Sequence, residues 1–322
     1  MDGFRAPAWL PGGHAQTIWP ALSARRALRG GVAFSRVRMD TADGDFVDVD
    51  FAGDGTADAP MLVLFHGLEG SSQSHYALAF ALEALVRGWR FALPHFRGCS
   101  GELNRAPRAY HSGDFEEIGA MLGWLRARHA GPLLAIGVSL GGNALMRWAE
   151  ESGEAAGETV RAAVAICSPL DLTAAGLAID RGFNRIAYAR MFLATMKPRA
   201  LAKWRQHPGL FDRERVRRAR TLYEFDDAFT APVHGFKGTD DYWARASAKP
   251  HLRRIRIPAL LLNARNDPFV PAASLPRPHE VAPSVTLWQP AHGGHVGFPG
   301  GRFPGDVKTM PAAVADWLAP HA

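Results

Sequence analysis

Leu134-Ala-Ile-Gly-Val-Ser-Leu-Gly-Gly-Asn143 is the stretch from which the rest of the chain can be read. An apolar run from Leu133 to Ile136 breaks at Gly137, and Ser139 follows with Gly137 and Gly141 two residues to either side. Ala144-Leu-Met-Arg-Trp-Ala-Glu150 then continues in helix-compatible residues. The order is strand, sharp turn, helix, with a serine at the apex. The Gly-x-Ser-x-Gly spacing has a steric cause. So tight a turn presses strand and helix backbones together, and the positions two before and two after the serine must lack side chains. The N–H groups after the serine open a helix, where partial positive charge favours a developing oxyanion. A Gly/Ser loop without chemistry is the plain alternative. It leaves the flanking strand and helix unexplained.

Outward from this turn the chain alternates strand and helix. Met61-Leu-Val-Leu-Phe65 is a continuous apolar run of the kind buried on both faces of a parallel sheet. A helix is predicted from Ser74 to Arg87, stopped by Gly88, and a strand from Trp89 to Pro94. Asp114 and Glu117 have capping-box spacing for a helix reaching about His129. Strands follow at Ala162–Cys167, Ala259–Asn263 and Val285–Trp288, with a last helix near Met310–Leu318. Before all of these, two alternating runs around Thr41-Ala-Asp-Gly44 predict an antiparallel hairpin. The expected class is α/β: a mostly parallel, doubly wound sheet with an antiparallel start. Residues 1–30 read as an extended arm. Residues 31–167 and 258–322 form the core, and 168–257, which lacks a buried strand, forms an inserted helical lid.

The bulk numbers narrow the class further. A chain of 322 residues with 47% hydrophobic and 21% charged residues suits a globular protein with one large domain and an insertion, or two modest domains. The net charge of +6 comes without any nucleic-acid module, so no nucleic-acid partner is expected. Two cysteines without ligand spacing indicate neither a zinc site nor a disulfide framework, which points to a reducing, cytoplasmic setting. No stretch reaches the roughly 18 apolar residues of a membrane span.

A serine becomes a nucleophile only beside a base that is itself oriented by an acid. Asp267, in Asn263-Ala-Arg-Asn-Asp-Pro-Phe269, follows one strand; His295, in His292-Gly-Gly-His-Val-Gly-Phe298, follows the next. The order Ser, Asp, His at the carboxyl ends of strands is that of one known triad arrangement. Asp171 competes as the acid and His292 as the base, although the glycine pair gives His295 the freer loop. An oxyanion hole needs two backbone donors. Leu140 N–H supplies one, and Leu68 N–H, in Phe65-His-Gly-Leu-Glu-Gly70, the other. Glu69 reads as pointing away from the pocket, and His66 as a brace for its loop.

Taken together, several motifs resemble the YheT-type branch of the α/β hydrolases, also called the AB hydrolase 4 family. They are His14-Ala-Gln-Thr-Ile18, His66-Gly-Leu-Glu-Gly-Ser71, Phe96-Arg-Gly-Cys-Ser-Gly-Glu102, Tyr110-His-Ser-Gly113 and Gly137-Val-Ser-Leu-Gly-Gly-Asn143. Phe225-Asp-Asp-Ala-Phe-Thr-Ala-Pro232, Asp267-Pro-Phe269 and Gly293-Gly-His-Val-Gly-Phe298 continue the series. The resemblance runs from near residue 10 to near 300. It implies an α/β-hydrolase fold and a triad at Ser139, Asp267 and His295.

The expected activity is hydrolysis of carboxylic acyl esters through an acyl-enzyme, without metal or organic cofactor. A lipase, phospholipase or acyltransferase shares the chemistry, and a hydrolase fold kept as a small-molecule binding protein is the rival of another class. In the lid, Phe183, Met191, Phe192, Leu193 and Met196 are candidates to line an acyl pocket, and Phe225-Asp-Asp is expected to anchor the lid to the sheet. Lys197 to Arg220 carries nine Lys/Arg against two acids, either a solvated face or a basic surface for anionic lipid. Oligomeric state is not encoded in any of these patterns.

Overall fold

The computed structural model describes every residue except 2, 25–27 and 29. Eight strands form one sheet: β1 (Ser35–Asp40), β2 (Phe46–Ala52), β3 (Met61–Phe65), β4 (Arg90–Pro94), β5 (Leu133–Val138), β6 (Ala162–Ile166), β7 (Ala259–Leu262) and β8 (Val285–Trp288). Their spatial order is β1-β2-β4-β3-β5-β6-β7-β8. β1 and β2 pair antiparallel, as do β2 and β4, and every later pairing is parallel. The hairpin and the parallel body stand as the sequence predicted.

β3, β5, β6 and β7 are fully buried because helices cover both faces, which is why they read as unbroken apolar runs. One face packs on α3 (Phe115–Arg126) and α4 (Leu140–Ser152); the other packs on α2 (His75–Val86) and α9 (Thr309–Leu318). Ile136, Val164 and Leu260 sit on the second face, Ala135, Ala163 and Leu261 on the first. That period-two partition leaves the carboxyl ends of the central strands as the open edge where loops collect.

Two expectations are corrected here. The arm is not extended: Gly12–Trp19 forms α1 and Pro20–Ala24 a π-helical turn, while residues 25–27 and 29 lie outside the description. The breakers Pro11, Gly12 and Gly13 all fall at the helix start, where a missing N–H or an unusual φ costs little, and the next six residues contain none. The capping box at α3 is also absent. Asp114 makes no side-chain cap, because it accepts from Arg108 at 2.7 Å, and Glu117 is turned inward to Arg97 at 2.7 Å.

Between β6 and β7 the chain is helical, with α5 (Leu172–Ile179), α6 (Arg190–Gln206), α7 (Arg213–Arg218) and α8 (Thr239–Ala246) as its longer pieces. It has its own apolar cluster around Leu193, Val216, Phe225 and Phe229. The Phe225-Asp-Asp stretch ties the insertion to itself rather than to the sheet: Asp226 accepts from Trp243 Nε1 at 2.9 Å and Thr230 Oγ1 at 2.6 Å. Lys203 of α6 reaches the core instead, donating to the carbonyls of Asn104 (2.5 Å) and Ala106 (2.9 Å).

Candidate active site

Ser139 sits between β5 and α4 at φ 52° and ψ −119°, a conformation rarely taken by residues with a side chain. The turn is held by its glycines. A Cβ at Gly137 would run into Gly141 O and Gly142, and one at Gly141 into the carbonyl oxygens of Phe65 and His66. The Gly-x-Ser-x-Gly spacing is therefore a packing requirement between β5, α4 and the end of β3.

His295 Nε2 lies 3.1 Å from Ser139 Oγ, and His295 Nδ1 lies 2.8 Å from Asp267 Oδ2. The Asp267 carboxylate is buried, and its other oxygen accepts the N–H groups of Phe269 (2.7 Å) and Val270 (3.3 Å). An ionised carboxylate at Nδ1 selects the tautomer with the proton there, leaving Nε2 free to accept from the serine hydroxyl. The Phe269 ring packs 4.3 Å from the imidazole. The two rival residues are elsewhere: Asp171 caps α5 by accepting from Ala174 N–H, and His292 is exposed.

In the loop after β3, three N–H groups are already committed. Gly67 donates to Tyr76 OH at 2.9 Å, Glu69 to Tyr110 OH at 3.0 Å, and Gly70 to Gly67 O at 2.9 Å. Leu68 and Leu140 both border the cavity that holds Ser139 and His295. His66 braces the loop, its Nδ1 meeting Gly67 O at 2.8 Å and its Nε2 accepting Phe96 N–H at 3.1 Å. Burial holds that imidazole neutral, lowering its pKa to about 3. Glu69 does not point away: it borders the cavity and pairs with Arg199 at 3.2 Å.

The cavity measures about 150 Å³. Leu172, Ile179, Phe192, Met196 and Phe229 form much of its wall, all supplied by the insertion. Of the five residues expected to line an acyl pocket, Phe192 and Met196 do so. Leu193 packs inside the insertion, and Phe183 and Met191 face outward. The basic stretch also divides. Lys203 is buried and Arg199 turns to the cavity, while Arg205, Arg213 and Arg218 remain exposed.

The loop carrying His295 is gripped by α1, which the sequence reading did not foresee. Thr17 Oγ1 accepts His295 N–H at 2.8 Å and donates to Gly13 O at 2.7 Å. Gln16 Oε1 accepts from Gly293 N–H and from Asn266 Nδ2, both at 2.9 Å, and Asn266 Oδ1 accepts Gly294 N–H at 3.0 Å. A Cβ on Gly13 would collide with Asn266 O, and one on Gly297 with Gln16 O. His14 meets Tyr188 OH of the insertion at 3.0 Å. The only signal in the sequence was the His14-Ala-Gln-Thr-Ile18 motif, and nothing local said what it touches. Cys167 was also missed. Its sulfur accepts Val296 N–H at 3.3 Å beside the Asp267–His295 pair, and burial raises the thiol pKa well above its ordinary value, so it is a neutral wall.

Comparison with known proteins agrees with this architecture. The alpha/beta hydrolase fold matches residues 60–301. The Escherichia coli K12 protein YheT, which carries an esterase name, is 38% identical over 96% of this chain and 90% of its own length. Mouse phospholipase ABHD3 is 30% identical over 87% of this chain and 70% of its own. Among solved structures, an esterase of Pyrococcus furiosus shares the fold with a TM-score of 0.55 at 16% identity, covering 92% of this chain and 91% of that one. Among the described residues no helix is long and apolar enough to cross a membrane. The chain belongs to the esterase- and lipase-type α/β hydrolase family, on the branch that includes the E. coli protein.

Proposed function

We propose that the protein cleaves carboxylic acyl esters with Ser139 as nucleophile, His295 as general base and Asp267 as the acid that orients it. The observation that carries this reading is the continuous Asp267–His295–Ser139 hydrogen-bond chain opening into a largely apolar cavity. His295 Nε2 takes the hydroxyl proton as Ser139 Oγ attacks the ester carbonyl. In this reading the tetrahedral oxyanion is met by the N–H groups of Leu68 and Leu140, two residues that line the cavity with Ser139. His295 then protonates the leaving alcohol, and water repeats the cycle on the acyl-serine. No step requires a metal or an organic cofactor.

Residues 168–257 act in this reading as a helical lid over the core of 31–167 and 258–322. Its apolar wall receives the acyl chain, and a cavity of about 150 Å³ favours short to medium chains. Gln16 and Thr17 hold the base loop at the distance that proton transfer demands. The esterase, phospholipase and monoacylglycerol lipase names of the relatives support ester bonds as the target class.

The test is a p-nitrophenyl ester series from acetate to palmitate, run beside Ser139→Ala, with fluorophosphonate labelling of both proteins. Turnover and labelling that vanish together in the variant support the reading. Equal rates, or an unlabelled wild type that is correctly folded, would sink it.

A further inference from the structure

Nine large apolar side chains are exposed among the described residues, and four of them fall between residues 177 and 191. Leu177 is 38% exposed, Phe183 54%, Ile186 70% and Met191 54%. Three exposed arginines, Arg181, Arg185 and Arg190, alternate with them. Asp180 is the one acid of this stretch. Its carboxylate is spent inward, accepting Leu222 N–H at 2.7 Å and Tyr223 N–H at 2.9 Å. A surface that is both apolar and cationic is poorly served by water and matches a bilayer with anionic headgroups.

The patch continues onto α1. The His14 ring lies 4.9 Å from Phe183, and the exposed Ile18 of α1 and Leu22 of the π-helical turn after it follow His14 at four-residue spacing. It also borders the reaction centre. Ile179 within the stretch, and Phe192 and Met196 just after it, line the cavity. The rings of Phe183, Tyr188, Phe269 and His295 form a chain with centroids 6.1, 4.5 and 4.3 Å apart.

We propose that residues 177–191, joined by Ile18 and Leu22, dock the protein onto an anionic phospholipid bilayer, on the side of the cavity walled by Ile179, Phe192 and Met196. The arginines meet the headgroups and Phe183, Ile186 and Met191 enter the boundary with the acyl chains. The arrangement delivers a substrate of low water solubility directly to the wall that accepts its chain.

The experiment is flotation of the full chain with vesicles of phosphatidylcholine containing phosphatidylglycerol, against vesicles of phosphatidylcholine alone. Binding to the anionic vesicles that weakens with added salt is the expected result. Arg185→Gln with Arg190→Gln is expected to weaken it about thirtyfold, and Ile186→Ser with Met191→Ser about tenfold or more. Unchanged melting temperatures show that both double variants are folded. Wild type that ignores anionic vesicles, or variants that bind as well as wild type, would overturn the proposal. So would a wild-type dimer in sedimentation equilibrium that Ile186→Ser with Met191→Ser dissociates, since a second copy would then cover the face. Flotation reads binding without turnover, so this proposal and the hydrolase reading fail separately.

Discussion

The serine and the histidine that meet at 3.1 Å are held by opposite means. Ser139 is fixed locally: its strained φ, the glycines beside it and the strand and helix it joins all lie within residues 133–152, inside the packed sheet. His295 is fixed from far away, by Thr17 at a separation of 278 residues and Gln16 acting on Gly293 at 277. Its loop belongs to no strand or helix and has little apolar packing of its own beyond Val296 and Phe298. One member of the proposed reactive pair is built into the core. The other is pinned to it by hydrogen bonds from residues far away in the chain, and their loss is expected to leave the sheet folded.

The sharpest way to break the comparison is chemical. Ser139→Ala is expected to lower kcat by about four to six orders of magnitude at unchanged melting temperature; a smaller loss in a steady-state assay would mean another nucleophile. Glycine substitutions come next, because the two regions should answer differently. Gly141→Ala places a methyl group against the Phe65 and His66 carbonyls, at a cost of about 3 kcal/mol or more to global stability. Gly297→Ala displaces Gln16 and should cost activity far more than stability. Urea titration beside kcat separates the two, and equal destabilisation by both would erase the distinction between core and pinned loop.

Thr17→Val removes the acceptor of His295 N–H while keeping the volume. A loss of about 2 kcal/mol, or thirtyfold in kcat with KM little changed, is expected, and Thr17→Ser should restore it. A change confined to KM would move Thr17 from the chemistry to substrate binding. The smallest effect asks whether the insertion above both regions has its own electrostatics. Burial raises the Asp226 carboxyl from its ordinary 3.8 to about 6. The folded state therefore holds this proton more tightly than the unfolded chain. Stability falls as pH rises from about 4 to about 6, by an amount on the order of 2 kcal/mol. Asp226→Asn should flatten that part of the urea-denaturation profile, and an unchanged slope would assign it to other groups.

What could be read in the sequence follows the same division. Strands β3, β5, β6 and β7 were legible because burial on both faces demands unbroken apolar runs, and the serine turn because its glycines are required within five residues. That Asp267 and His295 adjoin Ser139 could be read from their chain order after two strands. The pairing of Arg97 with Glu117, which undid the expected capping box, was not, since a Glu three residues after an Asp looks the same whichever way it turns. Nor was α1: glycines and prolines at a helix start resemble those of a loop until the partner that justifies the helix is known. The inward turn of Arg199 and Lys203 was hidden for the same reason, because charge runs carry no sign of which member meets the core.

The grip of α1 on the base loop has a consequence for how the chain comes to life. Gln16 and Thr17 are made 277 and 278 residues before the groups they hold, so this contact forms only after every strand between them has been synthesised. A cleavage that let α1 leave is expected to free that loop while the sheet and the strained Ser139 stay in place. In the proposed mechanism, turnover then reports that two segments far apart in the chain have been joined.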